Sequence, residues 1–283
     1  MSDVWRADGP NLVFQGDNLP VMAALPGGSF RLLYLDPPFN TGRRQRREQL
    51  VTRRDEHGDR IGFHGLTYAS IREHALAYDD AFADYWGFLG PRLEHARRLL
   101  ADDGTLYLHL DYREAHYAKV VLDGLFGREA FVNELIWAYD YGARTTKRWP
   151  AKHDTILVYA KTPGHYYFDA AAVDREPYMA PGLVTPAKAK RGKLPTDVWW
   201  HTIVSPTGKE KTGYPTQKPE GVIRRIVQAS SAPGDWVADF FAGSGTLGAV
   251  AGALGRRFVL ADSHPDAIAI MRRRLEPYQP QFL

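Results

Sequence analysis

Cysteine is missing from this chain of 283 residues, and so is any long uninterrupted apolar run. The absence of thiols excludes disulfides, thiolate metal sites and every mechanism that needs a cysteine nucleophile. A membrane-spanning helix needs about 20 consecutive apolar residues, and no stretch approaches that length. The first residues, MSDVWRADGP, lack the pattern of a secretory signal. We therefore expect a soluble, cytoplasmic protein without membrane contacts.

The net charge is only +3, but the basic residues are clustered. Residues 43–60, RRQRREQLVTRRDEHGDR, hold seven arginines against four acids, and two further groups follow around Trp149 and after Pro186. Such clusters suit contacts with phosphates, because neutralising a polyanion releases counterions; the alternative is a solvated loop of mixed charge. The candidate phosphate contacts are Arg43, Arg44, Arg46, Arg47, Arg144, Lys147, Arg148, Lys188, Lys190 and Arg191.

Short apolar runs that favour β-strands alternate with helical patterns along the chain. The predicted strands are 12–17, 31–36, 105–111, 155–160, 235–240 and 256–262, and several end in Asp. Helical spacing of apolar residues predicts helices within 88–100, 112–127 and 264–276. This alternation predicts an α/β fold with a mostly parallel sheet and helices on both faces, where ligands bind at the carboxyl ends of the strands.

Two segments depart from the alternation and divide the chain. Residues 43–80 are polar and glycine-containing, so we expect a long mobile loop; residues 162–213 hold six prolines and predict an irregular insertion. We expect residues 1–161 to form one half of the main domain, 162–213 an insert, and 214–283 the other half of the same domain.

The stretch VADFFAGSGTLGAVAGALGRRFVLAD, residues 237–262, contains glycines at the spacing Gly-x-Gly-x-x-Gly between a strand and a helix. Asp262, at the end of the next strand, can accept hydrogen bonds from the hydroxyls of a ribose. Nicotinamide-dependent enzymes use the same arrangement, so an oxidoreductase stays an alternative. Asp239, directly before the glycines, would repel a pyrophosphate but favours a cationic cofactor such as S-adenosylmethionine.

A second motif, DPPF at residues 36–39, ends the strand RLLYLD. Together with DFFAGSGT it resembles the motif pair of the DNA amino-methyltransferases. The order resembles the permuted β group of that family, because DPPF precedes the glycines; QGDNLPVMAAL, DDGTLYLHLD, KHDTILVYAK and KTGYPTQKPEGVIRRIV agree in sequence order. The resemblance covers residues 12–276 and implies a circularly permuted, Rossmann-like class I methyltransferase fold.

The resemblance gives DPPF a chemical role. An exocyclic amine of a base is a poor nucleophile because its lone pair is delocalised into the ring. Asp36 and the carbonyl of Pro37 can accept hydrogen bonds from this amine and localise the pair. The prolines, Pro37 and Pro38, stiffen the backbone, and Phe39 can stack on a base that has left the helix. Methylation at carbon 5 of cytosine needs a cysteine, which this chain lacks.

By resemblance, S-adenosylmethionine is bound by two groups of residues and by Asp17, for which a helix N-cap is an equal alternative. Those residues are Thr216, Gln217, Lys218, Pro219, Asp239, Phe241, Ala242, Gly243, Gly245 and Asp262. No metal is expected. Asp at position 36 favours N6 of adenine over N4 of cytosine. The predicted partner is double-stranded DNA, with a homodimer and a cognate restriction endonuclease as further candidates.

Overall fold

The computed structural model describes residues 5–42, 82–142, 144–205 and 207–283, together with the backbone of 43–54, 60–61 and 67–80. The strands are β1 Leu12–Gln15, β2 Phe30–Leu35, β3 Arg43–Arg54, β4 Arg60–Ile61, β5 Thr67–Asp80, β6 Leu100–Leu110, β7 Phe131–Ala138, β8 His153–Ala160, β9 Val198–Trp200, β10 Trp236–Asp239, β11 Arg257–Asp262 and β12 Gln281–Phe282. The helices are α1 Asn18–Ala24, α2 Tyr85–Leu99, α3 Ala115–Phe126, α4 Pro186–Arg191, α5 Glu220–Ser230, α6 Thr246–Ala253 and α7 Pro265–Arg274.

Nine of the described strands form one sheet in the order β12, β1, β11, β10, β2, β6, β8, β7, β9. Neighbours are parallel except at β8, which runs antiparallel to both β6 and β7. Strands from the first half of the chain, from the 162–213 segment and from the last 70 residues or so therefore share one sheet. The predicted α/β class and mostly parallel sheet are confirmed.

Two apolar layers explain why helices cover both faces. On β2, Leu33 and Leu35 pack into a cluster with α2 and α3, while Leu32 and Tyr34 pack into a second cluster with α5 and α6. The strand reads as a continuous apolar run because both of its faces are buried, as in parallel sheets generally. Each such leucine contributes roughly 1.5–3 kcal/mol by leaving water.

Two sequence predictions need correction. The segment 43–80 is not a loop where its backbone is described: β3 pairs antiparallel with β5, and β5 with β4, in a separate three-stranded sheet. Polar and apolar residues alternate in much of TYASIREHALAYDD, which is compatible with a strand. The prediction of a loop came instead from the arginines and glycines of the segment. Strand β7 was also missed, because its polar Asn133 and Glu134 interrupt the apolar run.

The sheet order places the site. Strand β10 lies directly beside β2, with Val237 opposite Leu32 and Ala238 opposite Leu33. The two strands run parallel, so their carboxyl ends meet at one edge. Asp36 follows β2 and Asp239 ends β10. Two motifs that lie some two hundred residues apart in the sequence are therefore brought to the same edge of the sheet.

Candidate active site

A cavity of about 720 Å³ opens at this edge, between the ends of β1, β2, β10 and β11. Both motifs contribute to its wall, as does the segment before α5. The lining residues are Gly16, Asp17, Asn18, Tyr34, Asp36, Pro37, Pro38, Phe39, Phe82, Phe88, Arg92, Tyr214, Thr216, Lys218, Asp239, Phe240, Phe241, Ala242, Gly243, Ser244, Thr246, Leu247, Asp262, Ser263 and His264. The volume suits a ligand of drug size or one nucleoside together with part of another.

The Asp36 carboxylate forms an ion pair inside this cavity. The ammonium of Lys218 donates to Asp36 Oδ2 over 2.5 Å. The side chain of Lys218 is only 11% exposed and that of Asp36 only 14%. Lys218 Nζ also lies 5.0 Å from the centre of the Phe39 ring. One cation thus contacts both the carboxylate and the aromatic ring of the DPPF motif.

A buried chain of polar side chains supports Asp36 from behind. His109, which is fully buried, lies with Nδ1 2.6 Å from the Tyr34 hydroxyl and Nε2 3.2 Å from Asp154 Oδ2. Tyr139 donates to the other oxygen of Asp154 over 3.0 Å. Burial by itself would raise the pKa of Asp154, but the hydrogen bonds from His109 and Tyr139 and the charge of Lys218 outweigh it and hold this pKa below its usual value.

The tautomer of His109 follows from its partners. An ionised carboxylate can only accept, so Nε2 carries the proton that is donated to Asp154. In neutral His109, Nδ1 then accepts from the Tyr34 hydroxyl. Burial, reinforced by the charges of Asp36, Asp239 and Asp154, raises the pKa of Tyr34 well above its usual value. Tyr34 therefore keeps its proton and remains the donor.

The backbone of DPPF is fixed by neighbours on other elements. The Tyr85 hydroxyl donates to the Pro38 carbonyl over 2.9 Å. Asn40, which has a positive φ of 53°, donates to Glu114 over 2.8 Å and accepts from the backbone of Phe82 over 3.3 Å. Contacts from α2 and from the residue before α3 thus hold the loop in place, so that the carboxylate and the ring present a defined geometry to the cavity.

The glycine loop has two different functions in the fold. Gly243 has a φ of +51° and lines the cavity, where a side chain would also meet Tyr214 at 3.0 Å. Gly245 has a φ of +73°, and a Cβ there would lie 2.7 Å from Met271. The first glycine opens the cavity wall, whereas the second permits a left-handed turn and close packing against α7.

Asp262, which ends β11, also lines the cavity. Its carboxylate accepts from the backbone amides of Gly243 and His264, both over 2.8 Å. Burial raises the pKa of Asp262, and these two hydrogen bonds partly offset the rise. The bonds orient the carboxylate while leaving further lone pairs on both oxygens.

Asp239 is almost completely buried at the end of β10. Burial raises the pKa of this carboxyl well above its usual value, and a hydrogen bond from the Phe241 amide opposes the rise only in part. A carboxylate in such a position is stabilised when a cation comes close. The cavity therefore favours a ligand that carries positive charge.

Asp17 has the N-cap function that was one of its two predicted roles. Its side chain accepts from the Leu19 amide over 3.0 Å at the start of α1, and it pairs with Arg92 over 2.7 Å. Asn18 accepts from Arg92 and donates to the Phe240 carbonyl. These contacts tie α1, α2 and the end of β10 together around the cavity.

Comparison with known proteins identifies the family. The model of the N6 and N4 DNA methylases matches residues 30–273. The chain belongs to this family. A curated relative, the DNA adenine methyltransferase YhdJ of Escherichia coli (strain K12), is 29% identical over 272 residues that cover 93% of this chain and 82% of the relative.

Solved structures give the fold of the methylase. The complex of M1.HpyAVI with SAM has a TM-score of 0.59 at 18% identity and covers 93% of this chain and 98% of its own. The cytosine-N4-specific PvuII DNA methyltransferase has a TM-score of 0.63 at 15% identity, with 94% and 89% covered. The expectation of a class I methyltransferase fold is confirmed.

Most of the predicted site residues of the methylase surround the cavity. All four residues of DPPF line it. So do eight of the eleven predicted cofactor residues, namely Asp17, Thr216, Lys218, Asp239, Phe241, Ala242, Gly243 and Asp262. Gln217, Pro219 and Gly245 do not line it. Gln217 instead binds Thr212 and the Glu210 carbonyl, and Pro219 precedes α5 as its N-cap residue.

The predicted phosphate contacts divide into two groups. Arg144, Lys147, Arg148, Lys188, Lys190 and Arg191 are exposed. The side chains of Arg43, Arg44, Arg46 and Arg47 lie outside the described residues. Sequence reasoning missed His109, Asp154 and Tyr139, which meet only through the pairing of β6, β7 and β8. It also missed Arg92. The sequence held a signal for it, because Arg92 lies three residues after Leu89 and so on the same apolar face of the predicted helix.

Proposed function

We propose that this methylase transfers a methyl group from S-adenosylmethionine to the exocyclic N6 amine of an adenine in double-stranded DNA. The observation that carries the proposal is that Asp36 and Phe39 line the same cavity as the glycine loop and Asp262. An acceptor for an amine and a pocket for a cationic nucleoside thus face each other. Proximity and alignment of this kind supply much of the rate in a direct transfer.

The cofactor half of the cavity fits S-adenosylmethionine, which carries a ribose, an α-ammonium group and a sulfonium. Asp262 has oriented oxygens for the ribose hydroxyls, and Gly243 leaves space for close approach. Asp239 is a buried carboxyl whose ionised form a cation would stabilise. When bound, the cofactor supplies an electrophilic methyl group. The same buried carboxyl disfavours a pyrophosphate, which speaks against the nicotinamide alternative.

The base half of the cavity fits an amine. Asp36 and the Pro37 carbonyl accept hydrogen bonds from the NH2 group, and Phe39 stacks against the ring. The lone pair of the amine held in this way would be directed at the methyl group that the cofactor would supply, and the electron pair of the broken carbon–sulfur bond would stay with the sulfur. The methylated nitrogen loses one proton to solvent. Asp36 orients the amine in this step and does not need to remove a proton first.

Adenine is preferred to cytosine on two grounds. Asp36 stands where N4-cytosine members of the family usually carry Ser, and the Escherichia coli relative is an adenine methyltransferase. N4 of cytosine is the second candidate, because a relative of similar fold is specific for that atom. Both amines present the same two hydrogens to an acceptor, so the carboxylate alone does not exclude cytosine.

The DNA would approach over the carboxyl edge of the sheet. Strand β7 runs in the same direction as β6, so residues 139–152, which follow it, begin at the edge that carries Asp36. This segment holds Arg144, Lys147 and Arg148 beside Trp149, which is 94% exposed. Cations suit the phosphates, and an exposed indole suits stacking on a base or filling the space that a flipped base leaves.

The remaining assignments are proposals that follow from the family resemblance. Residues 1–161 would supply the catalytic half, 162–213 would take part in target recognition, and 214–283 would supply the cofactor half. A homodimer and a cognate restriction endonuclease are the proposed protein partners. In the part of the chain that the structure describes, no helix combines the length and apolar character of a membrane span.

Expression in a bacterial strain that lacks its own DNA methylases tests the function. Single-molecule sequencing of the host DNA should reveal N6-methyladenine within one short recognition sequence, and the Asp36→Ala variant should leave the DNA unmodified. N4-methylcytosine in the wild-type sample would move the assignment to the second candidate. Unmodified DNA from a strain with abundant folded wild-type protein would contradict the proposal.

A further inference from the structure

The ion pair of Asp36 and Lys218 lies where the proposed function places the target amine. Lys218 Nζ is 2.5 Å from Asp36 Oδ2 and 5.0 Å from the centre of the Phe39 ring. A stacked base would bring its amino group to the same carboxylate beside the same ring. The ammonium and the amine both donate N–H groups to this carboxylate, and both need the space over the ring, so they compete for one place.

The two oxygens of Asp36 differ in accessibility. Oδ1 is buried and has no hydrogen-bond partner among the described residues; the Nδ1 atom of His109 lies behind it at 3.9 Å. The exposed part of the side chain therefore excludes Oδ1. The other oxygen, Oδ2, is the one that pairs with Lys218. With the carboxylate in this orientation, an amine coming from the cavity meets Oδ2 on the side where the ammonium lies over the Phe39 ring. Oδ2 has lone pairs for more than one donor, so it is the space beside the ring that a stacked base must take from the ammonium.

We propose that Lys218 is a gate: its ammonium holds the amine position in the free enzyme and is displaced when the target base enters. The inference rests on the proposed function, because the site of a base defines what the ammonium occupies. In the free enzyme the ammonium forms an ion pair with a largely buried carboxylate, whose Oδ2 would otherwise lack a partner among the described residues. It also sets a free-energy cost that a base must meet through stacking and hydrogen bonding before it occupies the site.

The displaced ammonium would have an anion to meet once the cofactor is bound. Lys218 and Thr216 line the cavity, and the Lys218 carbonyl accepts from Thr246 over 3.2 Å, which anchors the backbone to the start of α6. The side chain can therefore swing while its backbone stays fixed. The α-carboxylate of the cofactor is the natural anion for it to meet. Cofactor binding would then free Asp36 and favour entry of the base, and the coupling would be reciprocal.

A purely structural role makes the opposite prediction. If Lys218 only orients Asp36, its removal should weaken placement of the base as well as methyl transfer. If Lys218 is a gate, removal of its charge should let the base enter without cofactor. Lys218→Met keeps the length and removes the charge, whereas Lys218→Arg keeps the charge.

The chain offers a matched control in Lys119. Its ammonium pairs with Asp123 over 2.7 Å and lies 4.3 Å from the centre of the Phe131 ring, so it also contacts a carboxylate and an aromatic ring. Phe131 and Tyr159, its aromatic neighbours, are paired with each other and lie away from the carboxyl edge of β6. Lys119→Met should therefore lose a comparable ion pair without changing how a base is placed.

Fluorescence of 2-aminopurine measures base placement directly. A duplex with the sequenced recognition site carries 2-aminopurine at the target position, and its emission rises when the base leaves the stack. In wild-type protein the emission should rise mainly after S-adenosylhomocysteine is added. In Lys218→Met the extrahelical fraction without cofactor should increase about tenfold, which corresponds to the loss of one ion pair of ordinary strength. Lys119→Met should behave as wild type, and Lys218→Arg, which keeps the charge, should show a smaller increase than Lys218→Met.

A second measurement does not depend on methylation. The lysine side-chain ¹⁵N spectrum of the full chain should contain one slowly exchanging ammonium signal that Lys218→Met and Asp36→Asn both remove. S-adenosylhomocysteine alone should shift that signal if its carboxylate draws the ammonium away, and millimolar adenosine added with it should shift the signal further if a base takes the place that the ammonium held. A signal that stays unchanged, or emission that falls in Lys218→Met, would overturn the gate. Failure of the methylation assay with a displaced signal would instead overturn only the proposed reaction.

Discussion

The two halves of the site hold their carboxylates in opposite ways. Asp36, on the base side, is paired with the ammonium of Lys218. Asp239, on the cofactor side, is buried more deeply and meets a backbone amide, and its pKa is raised by burial. The base side is therefore satisfied in the free enzyme and must give up a contact when its ligand enters. The carboxyl of Asp239, on the proposed cofactor side, is compensated only in part by an amide and would gain from a cationic ligand.

Asp36→Ala should break the base side and have the largest effect. Loss of the acceptor should lower the single-turnover rate of methyl transfer by at least about a thousandfold, since positioned polar groups of this kind contribute some 10²–10⁴. The cofactor dissociation constant, measured by calorimetry, should not rise, because Asp36 is proposed to hold the amine and not the ribose, and its loss leaves Lys218 free to meet the cofactor. Undiminished transfer in a folded variant would refute the role of Asp36.

Asp262→Ala should break the cofactor side instead. The variant loses a carboxylate that is oriented by the amides of Gly243 and His264. Two charge-assisted hydrogen bonds to a ribose contribute about 2–3 kcal/mol, so the dissociation constant for S-adenosylmethionine should rise about 30- to 100-fold. Transfer at saturating cofactor should stay within about tenfold of wild type. An unchanged dissociation constant would remove the ribose role, and Asp266→Ala, at the start of α7, serves as the control.

Asp239 predicts a pH dependence for cofactor binding. Because burial raises its pKa in the folded protein, the free enzyme binds a proton more readily here than the unfolded chain does. A cationic cofactor favours the ionised form, so affinity should increase as the pH rises toward this pKa and level off above it. Calorimetry across the pH range should show the increase in wild type and a flat, about tenfold weaker profile in Asp239→Asn.

The raised pKa of Asp239 should lower the stability of the free protein as the pH rises, whereas it increases the affinity for the cofactor. Between the unfolded and the folded pKa of Asp239, the folded state binds more protons, so its contribution to the free energy of unfolding falls as the pH rises through that window. Asp239→Asn removes this loss. Without cofactor at neutral pH, the free energy of unfolding of the variant should be about 1 kcal/mol higher than that of wild type. Its unfolding temperature should be roughly 2 °C higher for a chain of this size. Lower thermal stability than wild type would contradict a destabilising carboxylate.

Sequence patterns reveal the fold and much of the site, because the relevant signals are local. Buried parallel strands read as apolar runs, and the glycines and Asp262 lie within one strand-turn-helix-strand unit. Asp36 and Asp239 could be assigned to one edge once both were seen to end strands. The contact of Asp36 with Lys218 and the chain from Tyr34 to Tyr139 could not, since they depend on which strands become neighbours. The order β2, β6, β8, β7 is a result of packing and is not encoded in any single segment.

Tyr34→Phe should give the smallest effect and tests whether the buried chain tunes the base side. The substitution removes the hydroxyl that donates to His109 Nδ1, while the Nε2 contact with Asp154 stays. His109 Nδ1 then loses its hydrogen-bond partner and is left facing Asp36 Oδ1 at 3.9 Å. A ring held by one hydrogen bond instead of two supports the carboxylate less firmly, so the transfer rate should fall about threefold to tenfold. Single-turnover rates of transfer check this, with Tyr139→Phe as the control that spares His109: an unchanged rate would leave Tyr34 with a packing role alone.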